Sequence, residues 1–313
     1  MTDAPQRPFR FGVQASTAAS RSQWVELARR VEAHGYSVLT MPDHFGDQLA
    51  PVPALMSAAD ATTTLRVGAL VWDNDYKHPI VLAKELATID LLSEGRLEIG
   101  IGAGWMISDY EQSGIPYDTA RIRIDRFEEA IGVLRGAFGA GPFSFDGTHY
   151  TVQQYDGLPK PVQSPPPLLI GGGGPRVLAI AARQADIVGI NGTMHAGVVG
   201  PDAIATMTAE AVDGKVDVVR RAAGDRWRSI ELNIRSFLVT VTDERRATID
   251  RIASALGVDA SMVEASPFAL VGTPAQMVDD LVARRERWGF SYVIVGADEV
   301  EAFAPVVAEL AGR

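Results

Sequence analysis

Five short stretches carry residue types that could do chemistry together. Gly171-Gly172-Gly173-Gly174 precedes Pro175-Arg176 and the helical run Val177–Gln184. Four unhindered backbone N–H groups can therefore converge at a helix N-terminus, an arrangement that holds phosphate. A flexible surface turn is the alternative, but a glycine run costs chain entropy and contributes no packing. Arg176 either adds a charge to the same phosphate or faces solvent. The second stretch, Met41-Pro42-Asp43-His44-Phe45, places an imidazole beside a carboxylate, a pairing suited to hydrogen-bonding a ring or shuttling a proton. In the third and fourth, Val71-Trp72-Asp73-Asn74 and Gly100-Ile101-Gly102-Ala103-Gly104-Trp105, an aromatic follows each candidate strand end. Trp72, Trp105 and Phe45 would wall a flat apolar cavity unless they pack into the core. The glycines would let a planar ring approach the backbone closely, or else pack tightly inside a barrel. The fifth stretch, Asn191-Gly192-Thr193, offers a hydroxyl and a backbone donor beside the glycine run.

Other chemistries lack their residues. Gly100–Gly104 has G-x-G-x-G spacing and is followed by Asp109–Gly114 instead of a clean helix start, which speaks against a nicotinamide fingerprint. Glu94 and Glu98 flank a strand start, the wrong end for a glycosidase dyad. No G-x-S-x-G, H-E-x-x-H or P-loop motif occurs. The chain has no cysteine and only five scattered histidines, so thiol chemistry is excluded and no metal is expected. His34, His78, His149 and His195 read as structural. With 39 acidic against 29 basic side chains the net charge is −10, which disfavours nucleic acid. The cluster Arg220, Arg221, Arg226 and Arg228 is flanked by acids and reads as a solvated helix end. Apolar stretches such as Ala54–Ala61 and Pro79–Ala83 are too short to span a bilayer, and Met1–Arg10 lacks an apolar signal core. A cytoplasmic protein is expected.

The elements that must position these residues alternate. Strand candidates fall at Phe9–Gln14, Ser37–Met41, Arg66–Val71, Arg96–Gly102, Leu168–Gly172, Asp186–Asn191, Leu232–Thr240 and Tyr292–Val295. Each is followed by a helical pattern. In the first helix Ser20 and Gln23 can form a capping box, Trp24, Leu27, Ala28 and Val31 recur at helical spacing, and Gly35 stops it. Another opens on Pro79, carries Leu82, Leu86 and Ile89 on one stripe and ends at Gly95. Eight βα units in a row predict a (β/α)₈ TIM barrel in one domain over residues 1–313, with an open doubly wound sheet as the alternative. Phe143–Val152 reads as a β-hairpin between the fourth and fifth strands, and an extra helix is expected around Ala260–Glu264 between the seventh and eighth. All five chemical stretches then sit at strand C-termini, the active face of such a barrel.

These residues resemble the luciferase-like monooxygenase superfamily, and within it the deazaflavin (coenzyme F420)-dependent branch of actinobacteria. The resemblance spans nearly the whole chain. It rests on Phe11–Gln14, Pro42-Asp43-His44, His78–Ala83 leading into Asp90–Arg96, Gly100–Trp105 and Ile170–Pro175. It implies coenzyme F420, or alternatively FMN, at the barrel mouth, with Asp43 and His44 at the ring and its phosphate on Gly171, Gly172, Gly173 and Gly174. It also implies a non-proline cis peptide at or near Leu70-Val71 buttressing the ring, and a homodimer. Gly102, Gly104, Asn191 and Thr193 complete the expected cofactor site, and His44, Asp43 and Trp105 the catalytic one. Trp105 stands where sugar-phosphate dehydrogenases of the branch carry an acid, so a small, neutral, planar or apolar substrate is expected. The expected reaction is hydride transfer, with reduced-flavin monooxygenation and a non-catalytic cofactor carrier as alternatives.

Overall fold

In this computed structural model, residues 7–194 and 196–313 are described. The expectations for His195 and for the first six residues fall outside them. Eight strands form the barrel: β1 (Arg10–Gln14), β2 (Val38–Met41), β3 (Arg66–Ala69), β4 (Leu97–Gly102), β5 (Leu168–Gly172), β6 (Ile187–Ile190), β7 (Glu231–Arg235) and β8 (Phe290–Gly296). Every neighbouring pair is parallel and in chain order, and β8 pairs with β1 to close the ring. The sheet is therefore a closed (β/α)₈ barrel and not an open doubly wound one. Most strand residues are buried on both faces, as an interior sheet under a shell of helices requires.

The helices follow the stripes read from the sequence. Arg21–Ala33 buries Trp24, Leu27, Ala28 and Val31, and the chain leaves it through Gly35 at φ +79. Its cap is one-sided: Ser20 Oγ accepts from Gln23 N at 3.3 Å, but the Gln23 side chain accepts from Ala19 N instead of closing a box. Pro79–Leu92 buries Leu82, Leu86 and Ile89, and His78 caps it by accepting from Ile80 N. The hairpin is present as Phe143–Asp146 against Thr151–Tyr155, and the extra helix as Ala260–Ala265. The predicted seventh strand is two strands. After Arg235 the chain leaves the barrel, and Leu238–Val241 pairs in parallel with Ala269–Gly272 in a separate small sheet. A β-branched run looks the same whichever sheet it joins, so the break was not readable. Arg226 departs from the solvated reading as well: its guanidinium donates to the carbonyls of Ala182 and Ala185 at 2.6 and 2.7 Å, tying the helix end to the barrel. Among the described residues no helix is long and apolar enough to cross a membrane.

Two features hold the barrel ends. At the N-terminal end Arg10 donates to Glu98 at 2.6 Å and Glu231 at 2.8 Å, lies 3.5 Å above the Tyr292 ring, and shares Glu98 with Arg66. Paired and hydrogen-bonded in this way, the buried charges are compensated. Towards the other end β3 and β4 approach so closely that a Cβ at Gly68 would collide with the Glu98 carbonyl, and one at Gly100 with the Ala69 carbonyl. Substituting Gly100→Ala should therefore cost at least about 2 kcal/mol through forced backbone shifts. Gly214→Ala, on an exposed helix face with open space around it, should be neutral or stabilise by up to about 1 kcal/mol. Urea unfolding of the two variants checks the contrast.

Candidate active site

At the C-terminal mouth the strand ends surround a cavity of about 600 Å³, within the size range of small-molecule sites. Asp43, His44, Leu70, Val71, Gly102, Gly104, Trp105, Gly171, Gly172, Gly173, Gly174, Asn191 and Thr193 all line it. These residues, all singled out in the sequence, are thus brought to one place.

The glycine side of the cavity is made of main chain. β5 ends at Gly172 and helix Pro175–Gln184 begins on Gly174, which offers no side-chain cap, so the first-turn N–H groups have no intrahelical partners. A Cβ at Gly172 would sit 2.6 Å from Val177, one at Gly173 would strike the Gly192 carbonyl, and one at Gly174 would enter open space. The facing loop is held from behind. Asn191 N donates to Gly172 O at 3.0 Å, Thr193 Oγ1 donates to Gly173 O at 3.0 Å, and Lys215 Nζ donates to the carbonyls of Asn191 and Thr206. Burial pushes the Lys215 ammonium down to about 8. The Thr193 hydroxyl proton is thus engaged with main chain, and Arg176 is turned aside to the Asp125 carboxylate.

The opposite wall is aromatic and acidic. Immediately after the β4 glycines a short helix, Ile107–Ser113, does begin, contrary to the sequence reading, and it carries the buried Asp109. His44 Nδ1 lies 2.6 Å from Asp109 Oδ2, the Tyr76 hydroxyl donates to the same oxygen at 2.8 Å, and Phe45 N donates to Oδ1 at 3.3 Å. Trp105 meets His44 edge-on with centroids 5.7 Å apart. Trp72 and Phe45 are not walls. Successive strand residues point to opposite sides, so Val71 and Asp73 line the cavity while Trp72 is buried behind it. Phe45 is 46% exposed and packs at a tilt against Tyr76, with ring centroids 4.4 Å apart. The Leu70-Val71 peptide is cis, as the resemblance implied, and both residues lie at the cavity floor.

Beneath Gly104 lies a cluster of carboxyls. Asp43 accepts from Asp73 N at 3.2 Å, and burial raises its pKa. The Tyr110 hydroxyl stands 3.3 Å from both Asp73 oxygens and 3.1 Å from Asp75, which Arg126 neutralises at 2.8 Å. Burial, with Asp75 and Asp43 nearby, pushes Asp73 up to about 7. Sequence reasoning missed Asp109, Tyr76 and Arg235, a cavity residue at the end of β7. Asp109 stood in plain view after the glycines, and the cue was a helix start there.

A closed barrel with a mouth cavity of small-molecule size, a glycine-lined helix start and an acid-held histidine has the layout of an α/β-barrel protein with a candidate small-molecule site at its mouth. The chain matches the luciferase-like monooxygenases over residues 7–292 and belongs to that family. It is 26% identical to an FMNH(2)-dependent dimethylsulfone monooxygenase of Pseudomonas fluorescens over 96% of this chain and 93% of that enzyme. A Pseudomonas putida protein of the same description is 29% identical over 61% of this chain, and the match spans only 50% of that relative. An F420-dependent glucose-6-phosphate dehydrogenase of Amycolatopsis mediterranei is 31% identical, over about half of each chain (52% and 51%). Coenzyme F420 dependent tetrahydromethanopterin reductase from Methanopyrus kandleri has the same fold, with TM-score 0.78 at 18% identity over 97% of this chain and 99% of that one.

The raised Asp73 gives a pH signature. Between the unfolded carboxyl's range near pH 4 and its folded value of about 7, the folded state holds a proton that the unfolded state has lost, so stability falls as pH rises through that window. Asp73→Asn should gain stability relative to the natural chain from pH 4 to 7 and level off above. Urea titrations at stepped pH test this, and a pH-independent difference would contradict it.

Proposed function

We propose that the chain is a coenzyme F420-dependent oxidoreductase transferring hydride between the deazaflavin and a small organic substrate. The observation that carries the reading is His44, a cavity imidazole whose Nδ1 is held by a buried carboxylate. Two features of the cavity support the coenzyme. A side-chain-free cradle at a helix start suits an anionic tail, and the floor at Leu70-Val71 beside Trp105 suits a flat ring. Gly171–Gly174 would hold the phosphate, with Asn191 and Thr193 shaping the facing loop; Asp43, Leu70, Val71, Gly102 and Gly104 would seat the ring. When bound, the deazaflavin supplies hydride chemistry at its C5.

The chain's own part is proton handling and exclusion of water. Asp109 already accepts from Tyr76 and Phe45, so its ionised form takes the His44 Nδ1 proton as a third donor and fixes the tautomer. Nε2 is then the nitrogen left to the cavity. His44 takes up or returns the proton that accompanies hydride loss or gain at the substrate, and Asp109 stabilises the imidazolium formed. Trp105 packs edge-on against the imidazole and limits its rotation.

A second reading has support of its own: the relative matched over 96% of this chain is named for FMNH(2). Fluorescence titration with oxidised and reduced F420 and FMN in parallel separates the two. Binding of F420 alone is the expected result, and binding of FMN alone would favour the monooxygenase. His44→Ala should keep cofactor affinity within about threefold and lower turnover by about 10²-fold or more, while Asp109→Asn should lose about 10- to 100-fold. Both are measured with the substrate that a screen of small alcohols, aldehydes and ketones yields. Undiminished turnover in His44→Ala with cofactor bound would leave a carrier role or other chemistry.

A further inference from the structure

Three arginines line the cavity, and two of them are committed elsewhere. Arg176 pairs with Asp125. Arg123 donates to the carbonyl of Asp118 at 2.6 Å, reaches that of Gly104, and lies 4.2 Å over the Tyr117 ring, bracing the loop after β4. Arg235 differs. It closes β7 on the floor of the mouth, and no carboxylate lies within 4 Å of it among the described ion pairs. Its Nε donates to Gln14 Oε1 at 3.1 Å, and one terminal nitrogen donates to the Ser236 carbonyl. A guanidinium has five N–H groups, so donors remain beyond these two bonds; the side chain lines the cavity, with its guanidinium carbon 5.4 Å from the centre of the Phe237 ring. Gln14 in turn donates to the Leu70 carbonyl at 2.9 Å, so a chain of hydrogen bonds runs across the floor from the ring seat to the guanidinium. Burial lowers Arg235 to about 10, offset only by the longer-range field of Glu299.

A half-buried cation held in place by a neutral amide is poised for an oxyanion, because a planar fork meets a carboxylate with two parallel charge-assisted bonds. We propose that Arg235, oriented by Gln14, is the substrate-recognition residue of this cavity and selects substrates that carry a carboxylate or similar oxyanion on an apolar body. This rests on the cofactor reading for the ring's place but not for the cation. It departs from the neutral substrate expected from Trp105, which reports on one wall only; the apolar body would lie towards Trp105, and the anionic end at β7.

The test uses matched pairs of probe, benzoate against benzamide and hexanoate against hexanamide. Binding to the natural chain, Arg235→Met and Arg235→Lys is measured by calorimetry with and without bound cofactor. The natural chain should bind each carboxylate at least about tenfold more tightly than its amide. Arg235→Met should abolish the preference while changing cofactor affinity less than about twofold, and Arg235→Lys should retain part of it. Equal binding of acid and amide, or a preference that survives in Arg235→Met, overturns the proposal. Loss of cofactor affinity in Arg235→Met also overturns it, by assigning the guanidinium to the cofactor. Should neither cofactor bind the natural chain, the cofactor reading fails, while the carboxylate preference of the cofactor-free protein still decides the role of Arg235.

Discussion

At the barrel mouth, backbone passes over backbone with no side chain between, and the rest of the site depends on that. Gly100 lies against the Ala69 carbonyl, Gly68 against the Glu98 carbonyl, and Gly173 under the Gly192 carbonyl. Any residue with a Cβ would push these strand ends apart or fill the space above them. The result is a cavity floored by main chain, small apolar groups and the Gln14–Arg235 pair, bounded at one side by a helix start. Chemistry is left to the few polar and aromatic side chains that line the cavity, chiefly His44, Trp105 and Arg235.

Those side chains stand in an uneven field. Asp43, Asp73, Asp75 and Asp109 gather behind β2, β3 and β4, with Arg126 offsetting one of them. Across the cavity, β7 presents a cation with no carboxylate in contact. The barrel's other end is neutralised internally by Arg10, Arg66, Glu98 and Glu231. Charge is balanced where the fold is only being held, and separated across the space where a small molecule would lie.

Periodic and punctuating residues made the fold legible. Gly35, Pro79, Gly95 and the Gly171–Gly174 run mark element ends because their backbone requirements are local, and local requirements show in sequence. What stayed hidden depends on contacts distant along the chain. Asp109 gains its meaning from His44 and Tyr76, 65 and 33 positions away. Arg235 gains its own from Gln14, 221 positions away. Trp72 follows a strand end and reads either as a cavity wall or as core, and alternation along the two residues Trp72–Asp73 decides for the core by sending it behind the floor. That these strand ends would meet around one cavity edged by glycine main chain could be read, but the polarity of its walls could not.

In the proposed function this main-chain cradle grips an anionic tail while the adjoining floor seats a ring. A crystal structure of the protein soaked with coenzyme F420, and in parallel with FMN, addresses it directly. The account predicts phosphate oxygens within about 3 Å of backbone nitrogens in the 171–174 segment, with the ring against Leu70-Val71 and within reach of His44. A phosphate held anywhere else on the barrel, with that segment empty, would contradict it.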